Sequence, residues 1–248
     1  MAKQEKRTAS AGRVASQLKA PVAEIFCSIQ GEGLYCGQKQ IFLRFAGCNL
    51  ACGYCDEPAA LDAAAAGLMT PAEAAAAVIK LARAKKAAAV SLTGGEPLLY
   101  WRFIKAVAPA LKKAGLALQL ETNGVLYREL SNAAALADVI AMDIKLPSST
   151  GQKAFWAEHK KFLAVAPEKT FIKTVVTSVT KMTDLKKAVD LAASVRPLVP
   201  FFIQPVTARR GKARPPSAKF VVEACCYAAS KLAAVKVLPQ QHPIWGVK

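Results

Sequence analysis

Short apolar runs alternate with longer amphipathic stretches along the chain from about residue 22 onward. The short runs predict strands at 22–28, 41–46, 88–92, 116–120, 139–142, 171–178, 200–203 and 235–238. The longer stretches predict helices at 71–86, 101–114, 127–137, 151–165, 183–194 and 217–234. Thr70, Pro71 and Glu73 form a capped helix start, and Thr183 is the expected cap of a later helix.

Polar motifs follow several of the predicted strands. They lie at 48–55, 93–97, 121–124, 143–145 and Gln204. Alternating strands and helices favour parallel strands with helical crossovers, whose carboxyl ends share one side of the fold. We therefore predict an α/β fold of the incomplete (β/α)6-barrel type, with these motifs close together. A doubly wound open sheet is the alternative.

Composition indicates one domain. The chain has 248 residues, of which 53% are hydrophobic, which suits a single α/β core at 22–248. Residues 1–21 are polar, basic and aperiodic, so we expect a disordered or weakly helical extension there. Neither a membrane span nor a secretory signal is expected, because the chain lacks a long uncharged apolar run and an apolar segment after its basic start.

The net charge of +17 makes nucleic acid the first candidate partner. However, the basic residues are spread over the whole length, and no RNA-binding pattern of interleaved aromatic residues occurs. Direct nucleic-acid binding is therefore not expected. An anionic substrate and cofactor explain the charge equally well.

The central motif is Cys48-x-x-x-Cys52-x-x-Cys55, directly after the strand at 41–46. Three thiolates at this spacing can converge on one soft metal centre. Closed structural sites use four ligands, and no fourth cysteine or histidine lies just downstream. The spacing therefore favours an open, catalytic [4Fe–4S] cluster; a three-ligand zinc site and three incidental thiols are the alternatives.

The remaining cysteines carry less information. Cys27 and Cys36 are expected to be small, buried or half-buried thiols, and the pair Cys225-Cys226 is expected to fill the core under a helix. Seven cysteines grouped largely in one loop suit a reducing cytoplasm better than a disulfide framework.

A second motif, Thr93-Gly94-Gly95-Glu96-Pro97, follows the next predicted strand of the core. Its glycines expose backbone N–H and C=O groups, and its carboxylate can accept a hydrogen bond from an ammonium group, so it suits a zwitterionic amino acid. The two motifs together resemble those of the radical S-adenosylmethionine (SAM) superfamily. The resemblance implies that the open iron chelates the methionyl group of SAM, whose cleavage gives a 5′-deoxyadenosyl radical.

Three further segments narrow the resemblance to the 7-carboxy-7-deazaguanine synthases. They are Ser28-Ile29-Gln30-Gly31-Glu32-Gly33, Phe42-Leu43-Arg44-Phe45-Ala46-Gly47-Cys48-Asn49-Leu50 and Cys55-Asp56. The resemblance implies a lyase that converts 6-carboxy-5,6,7,8-tetrahydropterin to 7-carboxy-7-deazaguanine with loss of ammonia, for queuosine-type nucleosides. It also implies a reductant such as flavodoxin or ferredoxin, a cytoplasmic location and a homodimer.

The resemblance assigns roles to individual residues. The cluster ligands are Cys48, Cys52 and Cys55; the substrate contacts are Ile29, Gln30, Gly31, Glu32, Arg44 and Thr93; the SAM contacts are Gly94, Gly95, Glu96, Glu121, Asp143, Lys145 and Gln204. Arg44 is expected to bind the substrate carboxylate through its planar guanidinium group. A surface arginine whose charge extends into solvent is the alternative for Arg44.

The sequence departs from the family at Glu57, where a threonine that helps to bind Mg²⁺ is usual. A carboxylate is a natural ligand for a hard cation, so Glu57 is a candidate Mg²⁺ ligand, or its longer side chain disturbs the site. The main alternative function is an activating enzyme of the same superfamily that installs a glycyl radical on a partner protein. A metal-bearing RNA-binding protein is supported only by the charge.

Overall fold

The computed structural model describes residues 18–208 and 213–247. Its strands are β1 Ala20–Ile29, β2 Lys39–Phe45, β3 Gly67–Met69, β4 Ala89–Gly94, β5 Ala117–Thr122, β6 Val139–Asp143, β7 Thr170–Val176, β8 Phe201–Pro205 and β9 Val235–Val237. Its α-helices are α1 Pro71–Lys85, α2 Trp101–Lys113, α3 Tyr127–Ala133, α4 Pro147–Thr150, α5 Trp156–Val165, α6 Met182–Val195, α7 Ala218–Ala229 and α8 His242–Trp245. No helix in these residues is long and apolar enough to cross a membrane.

Within the described residues the nine strands form one sheet in the order β3-β1-β2-β4-β5-β6-β7-β8-β9. From β2 to β9 all neighbouring strands are parallel. The sheet stays open, with β3 and β9 at its edges, which confirms the predicted α/β architecture of an unclosed barrel.

The first strands differ from the predicted parallel pattern. β1 is antiparallel to both β2 and β3. Only residues 30–38 separate β1 from β2, and a connection that short cannot make the helical crossover of a parallel pair. The short strand β3 was not predicted. β1 also begins at Ala20, inside the predicted extension, whose residues 1–17 lie outside the described part.

The two faces of the sheet carry different residues. Alternate positions such as Ile41, Leu43 and Phe45 in β2 are fully buried in the main hydrophobic core, which also contains residues of the long helices. The positions between them carry polar groups on β2, β4, β5 and β7: Gln40, Arg44, Ser91, Thr93, Gln119, Glu121 and Lys173. Because strand side chains alternate between faces, the polar set points away from the helices.

Several local predictions need correction. The predicted helix at 151–165 begins only at Trp156, as α5, because Gly151 has φ +71° and is the C-cap of the short helix α4 that precedes it. Thr183 is not a cap, because α6 starts one residue earlier and its N-cap position, Lys181, makes no side-chain cap. α3 and α7 end earlier than predicted.

Two further local predictions can be compared with the structure. Thr70 and Glu73 form the predicted capping box, with the Glu73 amide donating to Thr70 Oγ1 at 3.3 Å and the Thr70 amide to Glu73 Oε2 at 2.7 Å. Cys27 and Cys36 are half-buried, as predicted. Cys225 is half-buried and packs against the main hydrophobic core, in line with the prediction, whereas Cys226 is exposed, because the next position on α7 faces solvent.

Candidate active site

A cavity of about 430 Å³ lies at the polar face of the sheet. The predicted site residues that line it are Ile29, Gln30, Gly31, Glu32, Arg44, Cys48, Cys52, Cys55, Glu57, Thr93, Gly94, Gly95, Glu121, Asp143 and Lys145. Gln204 lines a second cavity of about 290 Å³. The two cavities share seven lining residues, among them Tyr54 and Lys145. Motifs that are far apart in the sequence therefore meet at one place.

The cysteine loop forms one wall of the first cavity. Its three thiols are free and half-buried. Burial raises the pKa of Cys48 and Cys52; the charges of Cys48 and Cys55 raise that of Cys52 further, and Lys145 lowers both. The three sulfurs are thus close enough to interact electrostatically.

These thiols can be compared with the two candidate metal centres. Among the described residues, no group of three or more His, Cys, Asp or Glu side chains is arranged to hold a single metal ion. Three thiols on one cavity wall fit a [4Fe–4S] cluster, whose irons occupy separate corners and leave one open here.

Backbone hydrogen bonds fix the cysteine loop from outside. The Gly47 amide donates to the Ala60 carbonyl at 2.7 Å, and the Gly53 amide to the Thr150 carbonyl at 2.9 Å. The Leu50 amide points at Cys48 Sγ at 3.4 Å, a contact that stabilises a thiolate. The loop is therefore tied on both sides to backbone groups outside it, at residues 60 and 150.

The glycine turn after β4 packs directly against the cysteine loop. The Gly95 amide donates to the Phe45 carbonyl at 3.1 Å, and the Glu96 amide to the Gly47 carbonyl at 2.9 Å. Gly94 has φ +141°, and a Cβ there would lie 2.1 Å from the Phe45 oxygen. A Cβ on Gly95 would lie 2.2 Å from the Gly47 oxygen. Both positions need glycine, because a side chain would force the turn away from the loop.

Glu96 does not face the cavity. Its carboxylate is fully buried and accepts hydrogen bonds from the Leu98 amide at 3.0 Å, Thr122 Oγ1 at 2.9 Å and the Asn123 amide at 2.8 Å. Burial raises its pKa to about 7, although these donors oppose the shift. The predicted direct contact between Glu96 and SAM therefore has no support in this geometry; the carboxylate supports the turn from behind.

Asn123 links three of the motif loops. Its backbone amide donates a hydrogen bond to Glu96, as described above. Its side-chain Nδ2 donates to Oδ1 of Asn49, the neighbour of Cys48, at 2.8 Å. Its carbonyl oxygen lies 3.1 Å from Nε2 of His159, a fully buried residue of α5 whose pKa falls to about 4 through burial. The neutral imidazole donates from Nε2 to this carbonyl. Asn123 thus connects the helix layer to the first cluster cysteine.

Glu121 lies in a buried polar network beneath the cavity. Its Oε1 accepts from Gln30 Nε2 at 2.7 Å, Ser91 Oγ at 2.7 Å and Gln119 Nε2 at 3.2 Å. Its Oε2 lies 3.4 Å from Thr93 Oγ1. Glu121, which was predicted as a SAM contact, is therefore bonded to Gln30 and Thr93, which were predicted as substrate contacts.

Glu32 is held by donors from distant segments. Lys173 forms a short ion pair with it, and Gln204 and Gln240 donate to its Oε1 at 3.2 and 2.6 Å. Burial alone would raise the Glu32 pKa, but the charge and hydrogen bond of Lys173, the hydrogen bond of Gln240 and the charge of His242 lower it to about 2. Glu32 and Lys173 are both charged and form part of the wall shared by the two cavities.

Arg44 is held on the opposite wall. Its Nε lies 2.8 Å from Glu24 Oε1, too far off the N–H direction for a hydrogen bond, and its guanidinium carbon is 5.4 Å from the centre of the Phe26 ring. Its Nη1 lies 3.5 Å from Glu57 Oε1. The side chain is only 13% exposed, so the alternative of a solvent-directed arginine is not supported.

Asp143 and Lys145 stand between the two cavities. Lys145 Nζ donates to Asp143 Oδ2 at 2.7 Å and lies 3.4 Å from the hydroxyl of Tyr54, within the cysteine loop. Asp143 raises the Lys145 pKa strongly, against the effect of burial. Both residues can reach a ligand that extends from one cavity into the other.

The lining of the two cavities includes polar residues that were not predicted, among them Tyr54, Lys173, Gln240 and His242. Lys173 interrupts an apolar strand, which was the available signal. His242 is half-buried in the C-terminal segment, and a Cβ on Gly31 would lie 2.6 Å from its Nδ1. That contact is between residues 211 positions apart, so local patterns do not indicate it.

Comparison with known proteins bears on this arrangement. The family model of the Radical SAM superfamily matches residues 43–187. A 7-carboxy-7-deazaguanine synthase from Geobacter sulfurreducens is 35% identical over 92% of this chain and 97% of the relative. The chain belongs to the 7-carboxy-7-deazaguanine synthase family. A second member of this family, from Thermococcus kodakarensis, is 32% identical over 76% of this chain and 84% of its own length.

Solved structures of radical SAM proteins share the fold. The crystal structure of QueE from Escherichia coli matches with a TM-score of 0.61 and 19% identity, over 90% of this chain and 95% of that chain. A radical SAM methyltransferase from Sphaerobacter thermophilus matches with a TM-score of 0.62 and 13% identity, over 92% of this chain and 80% of that chain. At these identities the matches establish the fold of this synthase family member and nothing finer.

Proposed function

We propose that this chain is a radical SAM lyase that converts 6-carboxy-5,6,7,8-tetrahydropterin to 7-carboxy-7-deazaguanine and releases ammonia. The observation that carries the proposal is the cavity. Cys48, Cys52, Cys55, the glycine turn and Arg44 line one space of about 430 Å³, which supports the proposal. The near full-length relationship to a 7-carboxy-7-deazaguanine synthase supports the same reaction.

Cys48, Cys52 and Cys55 would hold the [4Fe–4S] cluster, with SAM on its open iron. When bound, the cluster and SAM supply the one-electron chemistry that begins hydrogen abstraction from the substrate. Gly94 and Gly95 would bind the methionyl group through the turn that they hold against the cysteine loop, an approach that a Cβ at either position would prevent by meeting the Phe45 or Gly47 oxygen at 2.1 or 2.2 Å. Asp143, Lys145 and Gln204 would contact the remainder of SAM where the two cavities meet.

The substrate would lie between Arg44 and Glu121. The guanidinium group of Arg44 can bind the pterin carboxylate through parallel hydrogen bonds. Glu121 has its Oε1 occupied by Gln30, Ser91 and Gln119, while its Oε2 contacts only Thr93 within this network. Oε2 can therefore accept from the N–H groups of the aminopyrimidinone edge. Ile29, Gly31 and Glu32 would complete the pocket on the same side.

Mg²⁺, the reductant and the quaternary structure belong to the proposal as well. Glu57 would bind Mg²⁺ only together with substrate oxygens, since no three-residue metal site exists among the described residues. A flavodoxin or ferredoxin would reduce the cluster in the cytoplasm. The predicted homodimer is tested by light scattering of the purified protein.

The decisive experiment is anaerobic incubation of reconstituted protein with SAM, a reductant and carboxytetrahydropterin, with the product identified by mass. Formation of 7-carboxy-7-deazaguanine without any other protein supports the proposal; turnover that requires a partner protein favours the glycyl-radical activating enzyme. Cys52→Ala should lose the brown cluster absorbance and SAM cleavage. Arg44→Ala should raise KM for the pterin and leave uncoupled SAM cleavage intact.

A further inference from the structure

Arg44 has a second carboxylate beside it in addition to Glu24. Glu57 Oε1 lies 3.5 Å from Arg44 Nη1, and both residues line the first cavity. Glu57 precedes the short 3-10 turn Pro58–Leu61, two residues after the last cluster cysteine. The guanidinium edge proposed to bind the substrate carboxylate is therefore already next to a carboxylate of the chain itself.

The two carboxylates beside Arg44 differ in how firmly they are held. Glu24 is the direct register partner of Arg44 across the β1–β2 pair, and its side chain is 25% exposed. Glu57 lies on a loop, is 39% exposed and approaches less closely. Glu24 and the Phe26 ring fix the arginine in place. Glu57 is the partner that can move away without disturbing the sheet.

We propose that Glu57 is a resident counter-ion of Arg44 that the carboxylate of an incoming ligand displaces. This inference rests on the proposed function, in which Arg44 binds the substrate carboxylate. A guanidinium group binds one carboxylate best through two parallel hydrogen bonds, so a bound substrate and Glu57 compete for Nη1. Glu57 then weakens the binding of carboxylated ligands and leaves ligands without a carboxylate unaffected.

The same competition acts on the product. The product of the proposed reaction keeps the carboxylate, so it too must give up Arg44 before it leaves. The return of Glu57 to Arg44 replaces that contact and favours release. Glu57 is therefore a specificity-determining residue that limits the affinity for both carboxylated ligands.

This role and the Mg²⁺ role predicted for Glu57 have opposite consequences. Removing a metal ligand weakens substrate binding and makes it depend more steeply on Mg²⁺. Removing a competing counter-ion tightens binding and leaves the Mg²⁺ dependence unchanged. One substitution therefore distinguishes the two roles.

The test is a calorimetric titration of the reconstituted protein with pterin-6-carboxylate and, separately, with unsubstituted pterin. Glu57→Gln keeps the shape of the side chain and removes its charge; Glu223→Gln, on the exposed side of α7, is the matched control. We expect Glu57→Gln to bind pterin-6-carboxylate about 2- to 5-fold more tightly, the range of a partly exposed ion pair. Affinity for pterin should not change, and Glu223→Gln should match the wild type.

The same Glu57→Gln substitution in an Arg44→Ala protein completes a double-mutant cycle between the two residues. There, Glu57→Gln should no longer alter the affinity, because the group it competes for is gone. Equal or weaker binding of pterin-6-carboxylate by a folded, cluster-loaded Glu57→Gln protein would overturn the inference, and steeper Mg²⁺ dependence would indicate the metal-ligand role. If the wild type forms no 7-carboxy-7-deazaguanine and does not prefer the carboxylated pterin, the proposed function itself is wrong.

Discussion

Replacement of Lys173 by methionine tests how the wall between the two cavities is stabilised. Lys173 forms its short ion pair with Glu32 and lies 3.8 Å from Asp143. The Lys173 and Glu32 side chains are only 16% and 15% exposed. Methionine keeps much of the length of the side chain but removes its charge. Glu32 would then keep only Gln204 and Gln240 among the donors described above.

The size of the effect follows from the Glu32 pKa. Burial raises that pKa, and the Lys173 charge and hydrogen bonds overcome burial, so it falls from 4.5 to about 2. A shift of this size corresponds to about 3 kcal/mol of stability above pH 4.5, which is lost as the pH falls towards 2. Breaking a buried pair from one side costs about 3–5 kcal/mol. For a domain of this size that loss lowers Tm by roughly 6–20 °C.

The assay is urea unfolding of the apoprotein at pH 8 and pH 5. Lys173→Met should be less stable than the wild type by about 3 kcal/mol or more at pH 8. The loss should be smaller at pH 5, because without Lys173 burial raises the Glu32 pKa and the carboxylate can take up a proton. Adding Glu32→Gln should recover at least half of the loss, because the unpaired charge is removed. Lys112→Met is the control: its pair with Asp138 is exposed and should contribute at most about 1 kcal/mol.

A cost below about 1 kcal/mol for Lys173→Met would refute this reasoning. The same holds if the double variant loses the sum of the two single losses, because the charges would then not interact.

Three other predictions concern the loops that surround the cluster. Gly95→Ala should separate the glycine turn from the cysteine loop and abolish SAM binding in an equilibrium titration, whereas Gly67→Ala, at a position with no neighbour within 4 Å and no positive φ, should keep it. Asn123→Ala should lower SAM affinity or cluster retention by about 10- to 100-fold. Asn49→Ala should cause a loss of about the same size, and the double variant should lose no more than either single variant. Additive losses would show that the two residues do not act together. Glu96 holds its proton to about pH 7 when folded and to about 4.5 when unfolded, so it favours the folded apoprotein at low pH and this contribution is lost as the pH rises towards 7. Glu96→Gln should therefore lose less stability than the wild type between pH 5 and pH 8 in urea titrations; identical pH profiles would contradict the shift.

Local sequence patterns predicted the parallel part of the fold well. Strands such as β4 and β5 combine apolar residues on one face with polar residues at their carboxyl ends, and this pattern depends only on neighbouring residues. The cysteine spacing and the paired glycines are likewise short-range signals. They were sufficient to predict that distant motifs would meet at one side of the sheet.

Features that depend on long-range contacts were not predictable in this way. The antiparallel β1 resembles a parallel strand in its composition, and only the short connection to β2 reveals its direction. Glu96 follows two glycines and was expected to face a ligand. Its carboxylate instead accepts hydrogen bonds from the Thr122 hydroxyl and the Asn123 amide inside the protein. Lys173 and Gln240 became relevant only when the fold brought them to Glu32.

The contacts of residues 240 and 241 with distant loops of the site have a consequence for folding. The Gln241 amide donates to the Gly31 carbonyl at 2.9 Å, and Gln240 Nε2 also reaches Asp56 Oδ2 at 2.8 Å. These contacts join residues 210 and 184 positions apart, so the wall that they complete cannot form until the segment around residue 241 has been synthesised. A variant truncated before residue 240 should therefore lack this wall and retain less iron and sulfide after reconstitution.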